Sequence, residues 1–127
     1  MTSLRSPSEL AAAGLVGADR VAALDVVAAR YAVALTPDIA ALIDPADAAD
    51  PIARQFLPDL AELSLDPREL SDPIGDDAHS PVEGVVHRYP DRVLLKLLHA
   101  CPVYCRFCFR RETVGPGGAG MLSGEAL

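Results

Sequence analysis

Along the first half of the chain, apolar residues recur at helical spacing. Val21, Leu24, Ala28, Tyr31 and Leu35 stand three or four positions apart, which places them on one stripe of a helix running from about residue 18 to 35. Ahead of it, Ser6-Pro7-Ser8-Glu9 has the order of a helix start: a capping serine, a proline at the first helical position and an acid three residues after the cap. Gly14 is the expected stop. Thr36-Pro37 closes the long helix and opens another carrying Ile39, Leu42 and Ile43. Asp44-Pro45, Asp50-Pro51 and Asp66-Pro67-Arg68-Glu69 repeat the signal. The pattern then changes. Residues 72–84 hold two prolines, two glycines and several Asp and Ser residues, a turn-rich connector. Val85-Val86-His87-Arg88-Tyr89-Pro90-Asp91-Arg92 follows as a short strand and turn. Val93-Leu94-Leu95-Lys96-Leu97-Leu98 is a nearly unbroken apolar run and predicts a buried strand of a parallel sheet. The expected organisation is therefore a helical region over 1–71, a connector over 72–91, and a strand with its following loop over 92–127.

Composition narrows the choices. Half of the 127 residues are apolar and 23% are charged, which suits a folded domain. No run of about 18 apolar residues exists to cross a bilayer. Residues 1–7 lack a basic stretch followed by an apolar one and do not read as a signal peptide. The net charge of −7 argues against a nucleic-acid module. That charge is uneven: residues 1–80 hold 14 acidic and 5 basic side chains, residues 81–127 hold 4 and 6. An acidic front joins a basic segment suited to anions. In the front the acids read as caps and solvated faces, so that part is expected to be a helical cover or interaction region without catalytic groups.

The chemistry is concentrated after the apolar run. All three cysteines lie in Cys101-Pro102-Val103-Tyr104-Cys105-Arg106-Phe107-Cys108, a Cys-x3-Cys-x2-Cys spacing. An odd number of clustered cysteines speaks against a disulfide framework and for a reduced, cytoplasmic setting with metal or redox chemistry. A structural zinc site needs four ligands, so His99 or His87 would have to complete it. A four-iron cubane suits three thiolates better and leaves one iron open to a small chelating ligand. Arg106, Arg110 and Arg111 place positive charge near the thiolates. Upstream, Arg88, Tyr89 and Arg92 offer two guanidiniums and a phenol within five residues, a set able to hold a phosphate or simply to form surface ion pairs.

The cysteine spacing after an expected strand resembles the radical S-adenosylmethionine superfamily. The ordered series Asp72-Pro73, Ser80-Pro81-Val82, Gly84, His87-Arg88-Tyr89-Pro90-Asp91-Arg92 and Cys101-x3-Cys105-Arg106-x-Cys108-x-Arg110-Arg111 resembles the lysine 2,3-aminomutase family, with its relatives that act on lysine for elongation factor P. The likeness is close over residues 72–114.

This resemblance implies an α/β fold: the helical N-terminal region, then the first strand and cluster loop of a truncated radical S-adenosylmethionine partial (β/α) barrel. It implies Cys101, Cys105 and Cys108 as ligands of a [4Fe-4S] cluster, and Phe107 and Arg106 as surroundings of the cluster and S-adenosylmethionine. Arg88, Tyr89 and Arg92 would hold the phosphate of pyridoxal 5'-phosphate, and Arg110 the carboxylate of an amino acid substrate such as lysine. The implied reaction moves an amino group from the α to the β carbon by a radical route. A flavodoxin or ferredoxin would supply the electron, and a homo-oligomer is compatible with the family. Other radical S-adenosylmethionine chemistry, or a non-enzymatic Cys-rich metal-binding remnant, are the alternatives. The family's enzymes are several-fold longer, so this chain is expected to be an N-terminal fragment, inactive as a mutase alone. It lacks the later strands and the lysine that carries pyridoxal phosphate; Lys96, the sole lysine, does not stand at that position.

Overall fold

The computed structural model describes residues 2–111, 113 and 114. Four short α-helices and several 3-10 turns make up the front, and a two-stranded antiparallel sheet makes up the back. Helix α1 (Pro7–Ala12) starts as the sequence dictates: the Ser6 side chain accepts from the Glu9 N–H and the Glu9 carboxylate accepts from the Ser6 N–H, with Pro7 in the first turn. Gly14, at φ +74°, takes the left-handed conformation just beyond it.

The long helix expected over 18–35 is shorter. A 3-10 turn, Ala18–Arg20, leads into α2 (Val21–Arg30), and Tyr31 is already extended. Residues 31–35 run as buried extended chain, and Leu35 pairs with Leu4 through backbone bonds of 2.8 and 3.0 Å. The reason is tertiary. The carbonyls of Ala32 and Ala34 accept from the Arg106 side chain and the Tyr104 N–H, more than 65 residues downstream. Thr36 precedes a proline, which adds a local bias toward extended backbone.

Helices α3 (Pro37–Ala40) and α4 (Pro51–Phe56) begin at prolines as expected, and Asp50 caps α4 through the Ala53 N–H. Thr36 forms no side-chain cap bond. Asp44-Pro45 and Asp66-Pro67 give only turns: each aspartate accepts from the N–H two residues on, and the helix does not propagate. A capping box not anticipated, Asp59 with Glu62, opens the 3-10 turn Leu60–Leu63.

The core lies in the front. Leu10, Leu24, Val27 and Leu35 are fully buried, and Leu10 and Leu35 form one cluster with Val33 and Ile43. A second cluster joins Val27, Tyr31 and Ala32 to Tyr104 of the cysteine segment.

Strands β1 (Val85–Tyr89) and β2 (Arg92–Leu95) form a hairpin, with Val85 opposite Leu95, Val86 opposite Leu94 and Tyr89 opposite Arg92. The apolar run is therefore an antiparallel hairpin arm rather than a buried strand of a parallel sheet. Pro90 and Asp91 reverse the chain directly, whereas a parallel partner needs a crossover of a dozen or more residues. Every residue of β2 is exposed, and so are Leu97 and Leu98. The described residues thus combine helices with a small antiparallel sheet, and no parallel strand pair occurs among them. Gly115, Gly117, Gly118 and Gly120 make a Gly-rich stretch in the sequence and residues 123–127 read as a helix start; both lie outside the described residues. Among the described residues, no helix is long and apolar enough to cross a membrane.

Candidate functional site

The cysteine segment is coil and turn, and its shape comes from the front of the molecule. Tyr104 and Arg106 alternate with Cys105 and point into the protein: Tyr104 is 4% and Arg106 6% exposed. The Tyr104 N–H donates to the Ala34 carbonyl (2.8 Å) and the Arg106 N–H to the Gln55 carbonyl (2.7 Å). These two bonds, two residues apart, strap the segment onto the extended 31–35 stretch and onto α4. Cys105 and Cys108 are half-buried on the turn that follows, where the Cys108 N–H donates to the Cys105 carbonyl (3.1 Å); Cys101 is exposed.

Arg106 was expected to act on the thiolates by its charge. The structure commits it elsewhere. Its Nε and Nη2 donate to the Glu62 carboxylate at 2.6–3.1 Å, and Nη1 donates to the Ala32 carbonyl at 2.6 Å. A buried guanidinium with a two-oxygen carboxylate partner is neutralised, and it acts here by fixing chain position. Arg111 reinforces the strap: it donates to the Tyr31 hydroxyl (2.8 Å) and lies 4.0 Å from the centre of that ring, while the Tyr104 hydroxyl donates to the Arg111 carbonyl (3.0 Å).

The three residues expected to hold a phosphate are split by strand geometry. Arg92 lies over the Tyr89 ring at 5.2 Å and donates to its neighbour Asp91. Arg88, one residue before Tyr89 on the strand, turns the other way and bonds the Ile74 carbonyl and the Asp76 carboxylate. Tyr89 and Arg92 are therefore brought together, and Arg88 joins a different group. That group includes Arg110, whose Nε and Nη2 both donate to Asp76 Oδ2, at 3.1 and 2.8 Å. Asp76 is itself buried. Beside it, Asp72 accepts from the backbone N–H groups of Asp77 and Asp76, which hold its carboxyl below the usual carboxylate range. Phe107 is 72% exposed, with its ring on the surface next to Cys108.

Several curated proteins match this chain. It is 48% identical to the L-lysine 2,3-aminomutase of Clostridium subterminale over 82 residues, which is 65% of this chain and 20% of that protein. It is 41% identical to the L-lysine 2,3-aminomutase of Bacillus subtilis over 87 residues, 68% of this chain and 18% of that protein. The chain fits the lysine 2,3-aminomutase family. A glutamate 2,3-aminomutase of Clostridioides difficile is also similar, 37% identical over 89 residues, 70% of this chain and 21% of that protein. The chain spans about a fifth of the length of the curated aminomutases it matches. No family model matches it.

An iron–sulfur cluster of the kind the aminomutase resemblance implies needs thiolates. The donor chemistry fits: the three cysteines are free, and two of them flank a single turn. They are not drawn together, however; among the described residues no three Cys, His, Asp or Glu side chains are grouped closely enough to hold a metal ion. Glu62 and Asp76, the carboxylates that fix Arg106 and Arg110, escaped the sequence reading. The one local signal was the Asp59-x-x-Glu62 capping spacing, which says nothing of Arg106.

Proposed function

We propose that this chain carries the cluster loop and cofactor-clamp segment of a radical S-adenosylmethionine, pyridoxal phosphate-dependent amino acid 2,3-aminomutase of the L-lysine to β-lysine type. The observation that carries this reading is the 48% identity over 82 residues to an L-lysine 2,3-aminomutase, in a chain whose three cysteines are free and have the Cys-x3-Cys-x2-Cys spacing. When bound, the [4Fe-4S] cluster with S-adenosylmethionine supplies a carbon radical, and pyridoxal phosphate supplies the conjugation that lets nitrogen migrate. The chain's own residues bind and orient. Cys101, Cys105 and Cys108 would be the thiolate ligands. Tyr89 and Arg92, side by side, would hold the cofactor phosphate, and Arg88, whose Nη2 is engaged by Asp76 and the Ile74 carbonyl, would join through its other donors. Arg110 would pair with the substrate carboxylate, and the exposed Phe107 would cover the cluster or the adenine. A soluble electron donor and a lysine-like or glutamate-like substrate follow from the same reading, in a reduced cytoplasmic setting.

Anaerobic reconstitution with iron and sulfide tests it. The expected product is a brown protein with a four-iron electron paramagnetic resonance signal that shifts on adding S-adenosylmethionine. A colourless protein holding one zinc ion would overturn the reading. Replacing any one of Cys101, Cys105 or Cys108 by alanine should abolish iron retention. Arg92→Ala, in the protein as its gene encodes it, should weaken pyridoxal phosphate binding and leave iron content unchanged; normal cofactor content would remove Arg92 from the clamp.

A further inference from the structure

We infer that Asp76 is a positioning residue that aims Arg110, and tethers Arg88 to it, for recognition of a carboxylate on an amino acid substrate; this rests on the reading of Arg110 just given. One carboxylate serves both guanidiniums. Its Oδ2 accepts the Nε and Nη2 donors of Arg110, and its Oδ1 accepts Nη2 of Arg88 at 3.3 Å. The aspartate is only 7% exposed and its backbone is pinned. Its N–H donates to Asp72 Oδ1 at 2.9 Å, and its carbonyl accepts from the His79 N–H at 3.0 Å and the Ser80 hydroxyl at 2.8 Å. A carboxylate so held cannot swing away to make room for a ligand without stranding two cations. It acts as a fixed support rather than a competitor.

The contrast with Arg106 shows what this support leaves over. Arg106 spends Nε, Nη1 and Nη2 on Glu62 and the Ala32 carbonyl. Arg110 gives Asp76 its Nε and one Nη2 donor, out of the five that a guanidinium carries. Its Nη1 donors are the ones a second carboxylate can take. Two guanidiniums against one carboxylate leave the trio with a surplus of positive charge. The small cavity beside Arg110 is lined by Lys96 but also by Asp72 and Asp77, so recognition there rests on the Arg110 donors left over rather than on net charge. Because Arg88 and Arg110 share one counterion, loss of Asp76 should disturb both.

Steady-state turnover of L-lysine by the protein as its gene encodes it, reconstituted with iron and sulfide, decides the matter. Asp76→Asn should raise KM about tenfold or more, leave kcat within about threefold and leave iron content unchanged, and Asp76→Glu should recover part of the loss. An unchanged KM, or a joint fall of kcat and iron content at constant KM, would overturn the proposal. Should the wild type turn over neither L-lysine nor L-glutamate, the functional reading fails instead. The positioning of Arg110 is then decided on the 127-residue chain by hydrogen exchange at the Arg110 Nε proton. Exchange about tenfold faster in Asp76→Asn supports it, and an unchanged rate overturns it.

Discussion

The front and back of this molecule hold apolar side chains in opposite ways. In the front, Leu10, Leu24, Val27 and Leu35 lose all contact with solvent, packed among short helices of which two, α1 and α4, are started by capping side chains. In the back, Val93, Leu94 and Leu95 on the hairpin and Leu97 and Leu98 just beyond it remain 44–58% exposed, although only Lys96 interrupts this leucine-rich run. Hydrophobicity along the sequence therefore does not measure burial. A two-stranded hairpin has no layer to pack against on its own. Apart from the burial of Val86 and of Tyr104 against Val27, Tyr31 and Ala32, what orders the back is polar and specific: Arg106 on Glu62, Tyr104 on Ala34, Arg111 on Tyr31, and Arg110 and Arg88 on Asp76.

The sharpest way to break this contrast is to cut the polar strap. Glu62→Ala leaves a buried guanidinium without its counterion and should cost about 3–5 kcal/mol, read from urea denaturation, with residues 104–106 losing amide protection first. Arg20→Ala, which removes the exposed Arg20–Asp59 pair at similar separation in sequence and leaves the Asp59 cap in place, should cost less than about 1 kcal/mol. A loss from Glu62→Ala as small as that would mean the back is held some other way. Next in size is a matched pair of truncations. Leu24→Ala should cost about 2–5 kcal/mol, whereas Leu95→Ala should stay within about 0.5 kcal/mol in the same assay. Equal costs would show that β2 is packed in solution. The smallest effect is acid sensitivity of the turn at Asp72. Its folded pKa lies below 3.8, so its contribution is complete above that value and is lost as pH falls through the lower, folded one. Stability measured from pH 7 to pH 3 should decline at the acid end, and Asp72→Asn should flatten part of that decline.

The residues that told most at the level of sequence are those whose partners are close in sequence. Ser6 and Glu9 formed their box, and Pro7, Pro37 and Pro51 each opened a helix. The stripe through Tyr31 and Leu35 kept its burial but not its helix, because the Ala32 and Ala34 carbonyls are claimed by residues far downstream. The same limit governs the candidate site. Three cysteines within eight positions announce themselves by spacing alone. Glu62 and Asp76 act across 44 and 34 residues, and no local pattern reports a partner at that distance. Alternation along β1 also separated Arg88 from Tyr89, two residues that simple adjacency had grouped.

The long reach of the Arg106–Glu62 pair also sets an order in time. The two residues are 44 positions apart, and chains are made from the N-terminus at about 5–20 residues per second. Glu62 and the segments around Ala32 and Gln55 therefore precede Arg106 out of the ribosome by seconds, far longer than a short helix needs to form. The three thiols are born into a molecule whose receiving surface has already been synthesised.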